Sequence, residues 1–257
     1  MKLSIVTSTF NCEKYIKRLC ESVRLLHKSN IEYEWIIQDG SSFDTTALII
    51  NSFSELNVII ESEPDFGIYD AWNKALLRVS GDVILFLGAD DFVNDWTVLF
   101  DVSNLDAVNC FGLYNYSHKE NEIKDSVIFS DSDFGKKLDL PIHAFPPIPS
   151  TLFPASILKN YKFDTTYKYH ADGLFLYHSC MHATPFFHTT FLTFMGDDGA
   201  TSGYENRLSR WVEKFRIHMS MRNKFSDIGF IHVNPSSVML SGLKFLFRQV
   251  FYVFFKR

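Results

Sequence analysis

Cysteine is scarce in this chain. There are four in 257 residues, Cys12, Cys20, Cys110 and Cys180, with no CxxC pair and no disulfide-like spacing. That excludes a disulfide-stapled scaffold and fits a reduced cytosolic protein. The nucleotide and hydrolase signatures are missing too. No GxGxxG follows the first apolar run, which disfavours a dinucleotide dehydrogenase, and no GxxxxGK[ST] exists, which removes a P-loop NTPase. There is no HExxH and no GxSxG elbow, and the nine histidines do not cluster at zinc-ligand spacing. The first residues, Met1-Lys2-Leu3-Ser4-Ile5-Val6, are too short and too polar downstream for a signal peptide. Long apolar runs are also lacking: residues 238–255 are rich in Leu, Phe, Val and Tyr, but Gly242, Lys244, Arg248 and Gln249 interrupt them, making a poor transmembrane helix. No internal repeat or low-complexity segment stands out.

What is present is enough for a large core. Hydrophobic residues make up 46% of the chain and aromatics 16%, with 26 Phe, so disorder is excluded. The net charge of −5 hides an asymmetry. From Arg207 to Arg257 there are ten Lys/Arg against two acids, Glu213 and Asp227, a net +8 that leaves −13 for the rest. A basic, aromatic tail points to an anionic partner. Two readings stand: an interfacial helix lying on a membrane surface, or a helix docked on the core or on a second subunit. The acidic remainder and the absence of a binding motif argue against nucleic acid.

The first hundred residues alternate between apolar runs of strand length and helical spacing. Strands are expected at 3–7, 35–37, 58–60 and 83–87, with helices at 13–26, 44–53 (Asp44 as cap) and 71–79 between them. That alternation means a parallel sheet covered on both faces, and such sheets bind ligands beyond the carboxyl ends of their strands. Polar groups gather there: Thr7, Ser8 and Thr9 after the first strand, Asp39 after the second, residues 61–65 after the third, Asp90 and Asp91 after the fourth. Two adjacent carboxylates at a strand end repel each other and lose hydration, and a divalent cation with oxygen ligands would compensate them; alternatively Asp91 caps a short helix over 92–96. The second half is less regular. Strands are expected at 107–116, 127–129 and 185–194 and helices at 171–181 and 204–224. Residues 141–154, with five of the eight prolines, read as a shaped loop, and 196–203 as a flexible one.

Four blocks together carry a resemblance: Ser4-Ile5-Val6-Thr7-Ser8-Thr9-Phe10-Asn11, Gln38-Asp39-Gly40-Ser41-Ser42-Phe43-Asp44-Thr45, the run from Glu63 to Lys74 (EPDFGIYDAWNK), and Gly81-Asp82 with Gly88-Ala89-Asp90-Asp91. In order and spacing the chain resembles the inverting family 2 glycosyltransferases, of a bacterial polysaccharide-assembling branch. The match is close over about 1–100 and looser to about 215. The resemblance implies a GT-A (nucleotide-diphospho-sugar transferase) fold: a mainly parallel, Rossmann-like α/β sheet flanked by helices, with a helical C-terminal tail. It divides the chain into a nucleotide-sugar-binding half (1–105), an acceptor-binding half (106–215) and the tail (216–257).

The same resemblance assigns roles. Asp39 holds the base, Thr7 and Thr9 line the nucleotide pocket, and Asp65 lies in the donor block. Asp90, as the last residue of the family's DxD, holds Mg²⁺ or Mn²⁺ with Asp91 assisting. The first Asp of that motif is Gly88 here. Asp70 and Lys74 lie one helical turn apart, as donor-side contacts or as a surface ion pair. Asp172, in Tyr169-His170-Ala171-Asp172-Gly173, is the general base or an N-cap. Asp197 and Asp198 form a rival metal pair in a stretch where relatives carry a gating loop. The expected donor is a nucleotide-diphosphate sugar, UDP-sugar first, and the expected acceptor a glycan on a polyprenyl diphosphate. The expected location is cytoplasmic, with the tail reading that lays it on a membrane placing it on the inner face of the plasma membrane. Two rivals remain: a sugar nucleotidyltransferase, although residues 7–11 hold no Arg or Lys for its basic loop, and an inactive sugar- or nucleotide-binding subunit, raised by Gly88.

Overall fold

The computed structural model describes residues 1–130, 146–159, 161–197 and six positions between 209 and 217. Four strands alternate with three helices over the first 86 residues: β1 (Lys2–Thr9), α1 (Ile16–His27), β2 (Glu32–Asp39), α2 (Thr46–Asn51), β3 (Val58–Ser62), α3 (Ile68–Leu76) and β4 (Val83–Phe86). All pairings among these strands are parallel, with Leu3 opposite Tyr33 and Val83, and Asp39 opposite Ser62. β1, β2 and β4 are almost continuously buried because helices cover both faces, so the sequence shows apolar runs rather than alternation. One face (Leu3, Ile5, Trp35, Ile37, Leu85) packs on the Ile16, Leu19, Cys20, Val23, Leu26 stripe of α1. On the other face Phe86 meets Trp72 of α3, Phe153 and Phe163 at centroid distances of 5.0–5.8 Å.

Beyond β4 the sheet continues through β5 (Phe92–Val93), β6 (Val108–Ser117), β7 (Glu122–Val127), β8 (Thr151–Pro154) and β9 (Pro185–Gly196), with α4 (Ala171–His182) between the last two. Among the described residues the order is β3-β2-β1-β4-β8-β6-β9-β5, with β7 paired to β6. β8 runs antiparallel to both β4 and β6, and β6 runs parallel to β9. One sheet therefore crosses residue 105 without a break.

Several sequence expectations shift. The proline-rich stretch conceals β8, four fully buried residues wedged between β4 and β6. The strand expected at 127–129 lies at Glu122–Val127, as the second arm of a hairpin. No helix follows Asp91: β5 comes next, and the short 3₁₀ helix Trp96–Asp101 is capped by Asp95, whose carboxylate accepts the Thr97 N–H at 2.8 Å. α3 begins three residues early, after Gly67, whose φ of 114° suits glycine. The 204–224 helix and the 238–255 tail lie almost wholly outside the described residues, and of the 196–203 loop only Gly196 and Asp197 are described. Among the described residues, no helix is long and apolar enough to cross a membrane.

By packing, the chain divides into two units, 1–131 with 145–203, and 132–144 with 204–257. The sheet belongs to the first. Of the second, the described positions between 209 and 217 are helical, with Ile217 buried.

Candidate functional site

From β1 the chain winds outward to β2 and β3 on one side and to β4 on the other. The order therefore reverses between β1 and β4, and a crevice opens beyond their carboxyl ends. A cleft of about 440 Å³ lies there, lined by residues 8–12 after β1, residues 88–90 after β4, Tyr15, Asp65, and Gly67, Ile68 and Ala71 at the start of α3. Among the described residues, the lining holds two carboxylates, Asp65 and Asp90, and no Lys or Arg.

The sequence-derived site residues separate into those that face this cleft and those that build it. Thr9 and Asp90 line it, as does Asp65, whose carboxylate lies 2.6 Å from where a Cβ on Gly40 would stand and accepts the Gly67 N–H at 2.8 Å. Thr7 does not line it. It is fully buried, and its hydroxyl accepts the Trp35 indole N–H at 3.0 Å. Asp39 lies beneath the cleft at 1% exposure, accepting Thr9 Oγ1–H (2.8 Å), Ser42 N–H (2.9 Å), Ser42 Oγ–H (2.6 Å) and Ser62 Oγ–H (2.7 Å). Burial alone would raise its pKa; the bonds from Ser42, Ser62 and Thr9 prevail and hold it below the usual carboxylate range. Asp39 thus ties together the ends of β1, β2 and β3. Asp70 and Lys74 are likewise not lining residues. Asp70 accepts the Phe66 N–H at 3.1 Å, and Lys74 donates to the Pro64 carbonyl at 2.7 Å while pairing with Glu63 (3.2 Å) and Asp70 (3.4 Å). Together they hold the 63–67 loop that presents Asp65.

The adjacent carboxylates have different surroundings. Asp90 faces the cleft; Asp91 turns inward at 4% exposure, where its oxygens accept the Gly88 N–H (2.6 Å) and the Gly196 N–H (3.0 Å). Burial and then the charge of Asp90 push Asp91 up to about 8, against the pull of those two donors. A Cβ on Gly88 would stand 2.9 Å from both Asp90 Oδ1 and Asp91 Oδ2. The glycine in place of the first motif carboxylate is what lets both side chains fold against the turn.

His118, from the β6–β7 hairpin, braces Asp90: its Nε2 lies 2.7 Å from the Asp90 carbonyl. A carbonyl only accepts, so Nε2 carries the proton. Asp197, one of the rival pair, accepts the His118 backbone N–H at 3.0 Å, and a bond from Ser117 holds its carboxyl below the usual range. Asp198 lies outside the described residues. Neither His118 nor Gly196 carried a sequence signal for this role, since both act through the shape of the turn.

Asp172 is the second residue of α4, and the N-cap position belongs to His170. Asp172 Oδ1 accepts the Gly173 N–H at 2.8 Å and the Tyr69 hydroxyl at 3.1 Å. It is not a lining residue, but it is joined to α3, whose Ile68 and Ala71 are. Cys12 is a lining residue whose thiol burial pushes up to about 11, which leaves no thiolate nucleophile in the cleft.

For a cation, the described residues contain no group of three or more His, Cys, Asp and Glu arranged as ligands. The cleft presents one carboxylate, Asp90, from the pair. That fits a hard divalent ion held by one or two carboxylates together with substrate phosphates. Among the described residues, a lining of two carboxylates without a basic side chain would repel a diphosphate, and a cation between them would relieve that repulsion.

This architecture is the GT-A fold. A solved structure of Staphylococcus aureus TarS residues 1–349 in complex with UDP-GlcNAc matches 99% of this chain and 73% of its own, with a TM-score of 0.64 and 19% identity. Mycobacterium tuberculosis glucosyl-3-phosphoglycerate synthase, solved with Mn²⁺, UDP and glucosyl-3-phosphoglycerate, matches 86% of this chain and 79% of its own (TM-score 0.55, 14% identity). In sequence, residues 4–161 match the model of Glycosyl transferase family 2, and the chain belongs to that family. It is 31% identical over 101 residues to the poly(ribitol-phosphate) beta-N-acetylglucosaminyltransferase TarS of S. aureus strain MW2, covering 38% of this chain and 18% of TarS. It is 33% identical over 91 residues to a PGL/p-HBAD biosynthesis glycosyltransferase of Mycobacterium bovis BCG, covering 34% and 35%. The aligned segments thus span at most about a third of these relatives' length.

Proposed function

We propose that this chain is an inverting glycosyltransferase that moves a sugar from a nucleotide-diphosphate sugar, UDP-sugar first, to a carbohydrate acceptor in bacterial surface polysaccharide assembly. The observation that carries this reading is the cleft at the β1/β4 reversal, where Asp90 faces inward from a turn fixed by Asp91, Gly196 and His118. The nucleoside lies along residues 8–12, where Phe10 is 60% exposed, and the diphosphate lies toward Asp90. The chemistry that Mg²⁺ or Mn²⁺ on Asp90 supplies is neutralisation of charge on the departing diphosphate. Asp172 takes the proton of the acceptor hydroxyl; that oxygen bonds to the anomeric carbon as the carbon–oxygen bond to the diphosphate breaks, inverting the centre. A glycan on a polyprenyl diphosphate would suit the +8 C-terminal segment, whose bases and aromatics match an anionic membrane surface.

The test is a hydrolysis and transfer screen over UDP-, GDP- and dTDP-sugars with and without Mn²⁺. Turnover of one donor is expected, lost on removing the metal and in Asp90→Ala. Nucleotide binding indifferent to both metal and Asp90→Ala overturns the metal site, and retained transfer by Asp172→Asn overturns the base. Synthesis of the sugar nucleotide from a nucleoside triphosphate would reveal the nucleotidyltransferase, and binding without turnover the inactive subunit.

A further inference from the structure

α3 is the helix that touches both parts of the proposed reaction. Ile68 and Ala71 line the cleft, and Tyr69 between them points away from it. Tyr69 is 5% exposed. Its ring stacks on Phe163 (5.6 Å, 19° between planes) and meets Trp72 edge-on at 5.8 Å. The slot is held shut by Asn73, which both donates to the Phe163 carbonyl (2.9 Å) and accepts the Phe163 N–H (2.9 Å). A buried phenol needs a partner for its hydroxyl, and this one is delivered to Asp172 Oδ1 at 3.1 Å, beside the Gly173 N–H. A core filling would be served by Phe, as at 86, 153, 163 and 175, so packing does not account for the hydroxyl.

We infer that Tyr69 is a positioning residue of the transfer reaction: through its hydroxyl it fixes the orientation of Asp172, linking the base to the helix that floors the donor cleft. This rests on the proposed role of Asp172. A hydrogen bond from a hydroxyl to a carboxylate is charge-assisted and directional. Two donors on one oxygen also set the plane of the carboxylate relative to α3 and so to the bound donor.

The experiment compares the full-length chain with Tyr69→Phe, which keeps the ring and its stacking, and with Asn73→Ala, which loosens the slot and leaves the hydroxyl. Thermal melts accompany steady-state kinetics against donor. For Tyr69→Phe, kcat per folded chain falls about ten- to a hundredfold, and KM for the nucleotide sugar is unchanged. Asn73→Ala lowers the melting temperature and leaves kcat per folded chain near that of the parent. If Asp172→Asn abolishes transfer while Tyr69→Phe keeps the parent kcat, the inference is overturned and the base assignment stands. If Asp172→Asn retains transfer, the base assignment itself fails. A Tyr69→Phe chain that loses kcat only in proportion to folded fraction reduces Tyr69 to packing.

Discussion

Gly196 has no chemistry of its own, yet a single methyl group there is predicted to disable the donor site. A Cβ at 196 would stand 2.6 Å from the Asp90 carbonyl oxygen, 2.6 Å from Asp90 Oδ2 and 2.8 Å from His118 Nε2, where ordinary contact begins at 3.4 Å. Relief therefore requires the Asp90 turn to retreat by roughly 0.8 Å, because His118 and the Asp91–Gly196 bond close the other directions. Overpacking of this kind costs about 1–3 kcal/mol of stability, so Gly196→Ala should fold. Moving the cleft carboxylate by such a distance should weaken Mn²⁺-dependent UDP binding on the order of 10- to 100-fold. Calorimetric titration of UDP with and without Mn²⁺, beside urea unfolding, measures both quantities. Gly112→Ala is the control, since its Cβ meets the Phe191 ring at 2.8 Å; it should lose similar stability and keep its nucleotide affinity. A Gly196→Ala chain that is destabilised yet binds UDP·Mn²⁺ as tightly as the parent refutes the reasoning.

Glu34 should set an acid stability limit. It is 4% exposed at the amino end of β2; burial alone would raise its pKa, but bonds from Lys2, Ser4 and Ser80 hold it down to about 2 from 4.5. A depressed carboxyl stabilises the fold above its unfolded pKa and loses that contribution as pH falls from about 4.5 toward 2. The stability gap between parent and Glu34→Gln in urea unfolding, about 2 kcal/mol at neutral pH after allowing for solvent screening at Lys2, should close across that window; a constant gap contradicts the assignment. Lys74→Ala should leave the melting temperature nearly unchanged but raise the donor KM severalfold, because the 63–67 loop that presents Asp65 loses its clamp; an unchanged KM means the clamp is dispensable.

The first hundred residues were the part most legible from sequence. β1, β2 and β4 are buried on both faces, so they appear as apolar runs, and the polar residues ending them do converge. Which of those polar groups face the cleft was not legible. Thr7 and Thr9 share one side of β1, and two residues of depth separate a hydroxyl under the Trp35 indole from one at the cleft. Adjacent Asp90 and Asp91 look equivalent as letters. They diverge because Gly196, 105 residues beyond Asp91, supplies the inner partner. β8 escaped notice for the same reason: four residues among prolines have no local period, and their partners, β4 and β6, are distant in sequence.

That distance has a consequence for how the protein comes into being. During synthesis the first hundred residues emerge carrying β1 to β4, but β4 then presents Val83–Phe86 as a bare apolar edge, the kind of edge that recruits other chains. The edge is sealed only when β8 pairs with it, and the Asp90 turn is locked only after residue 196 has been made. Nascent chains that stall between these points would hold an open edge and an unset carboxylate pair. The first hundred residues are therefore not a module that can be excised or grafted elsewhere without a strand to stand in for β8 and a glycine to stand in for Gly196.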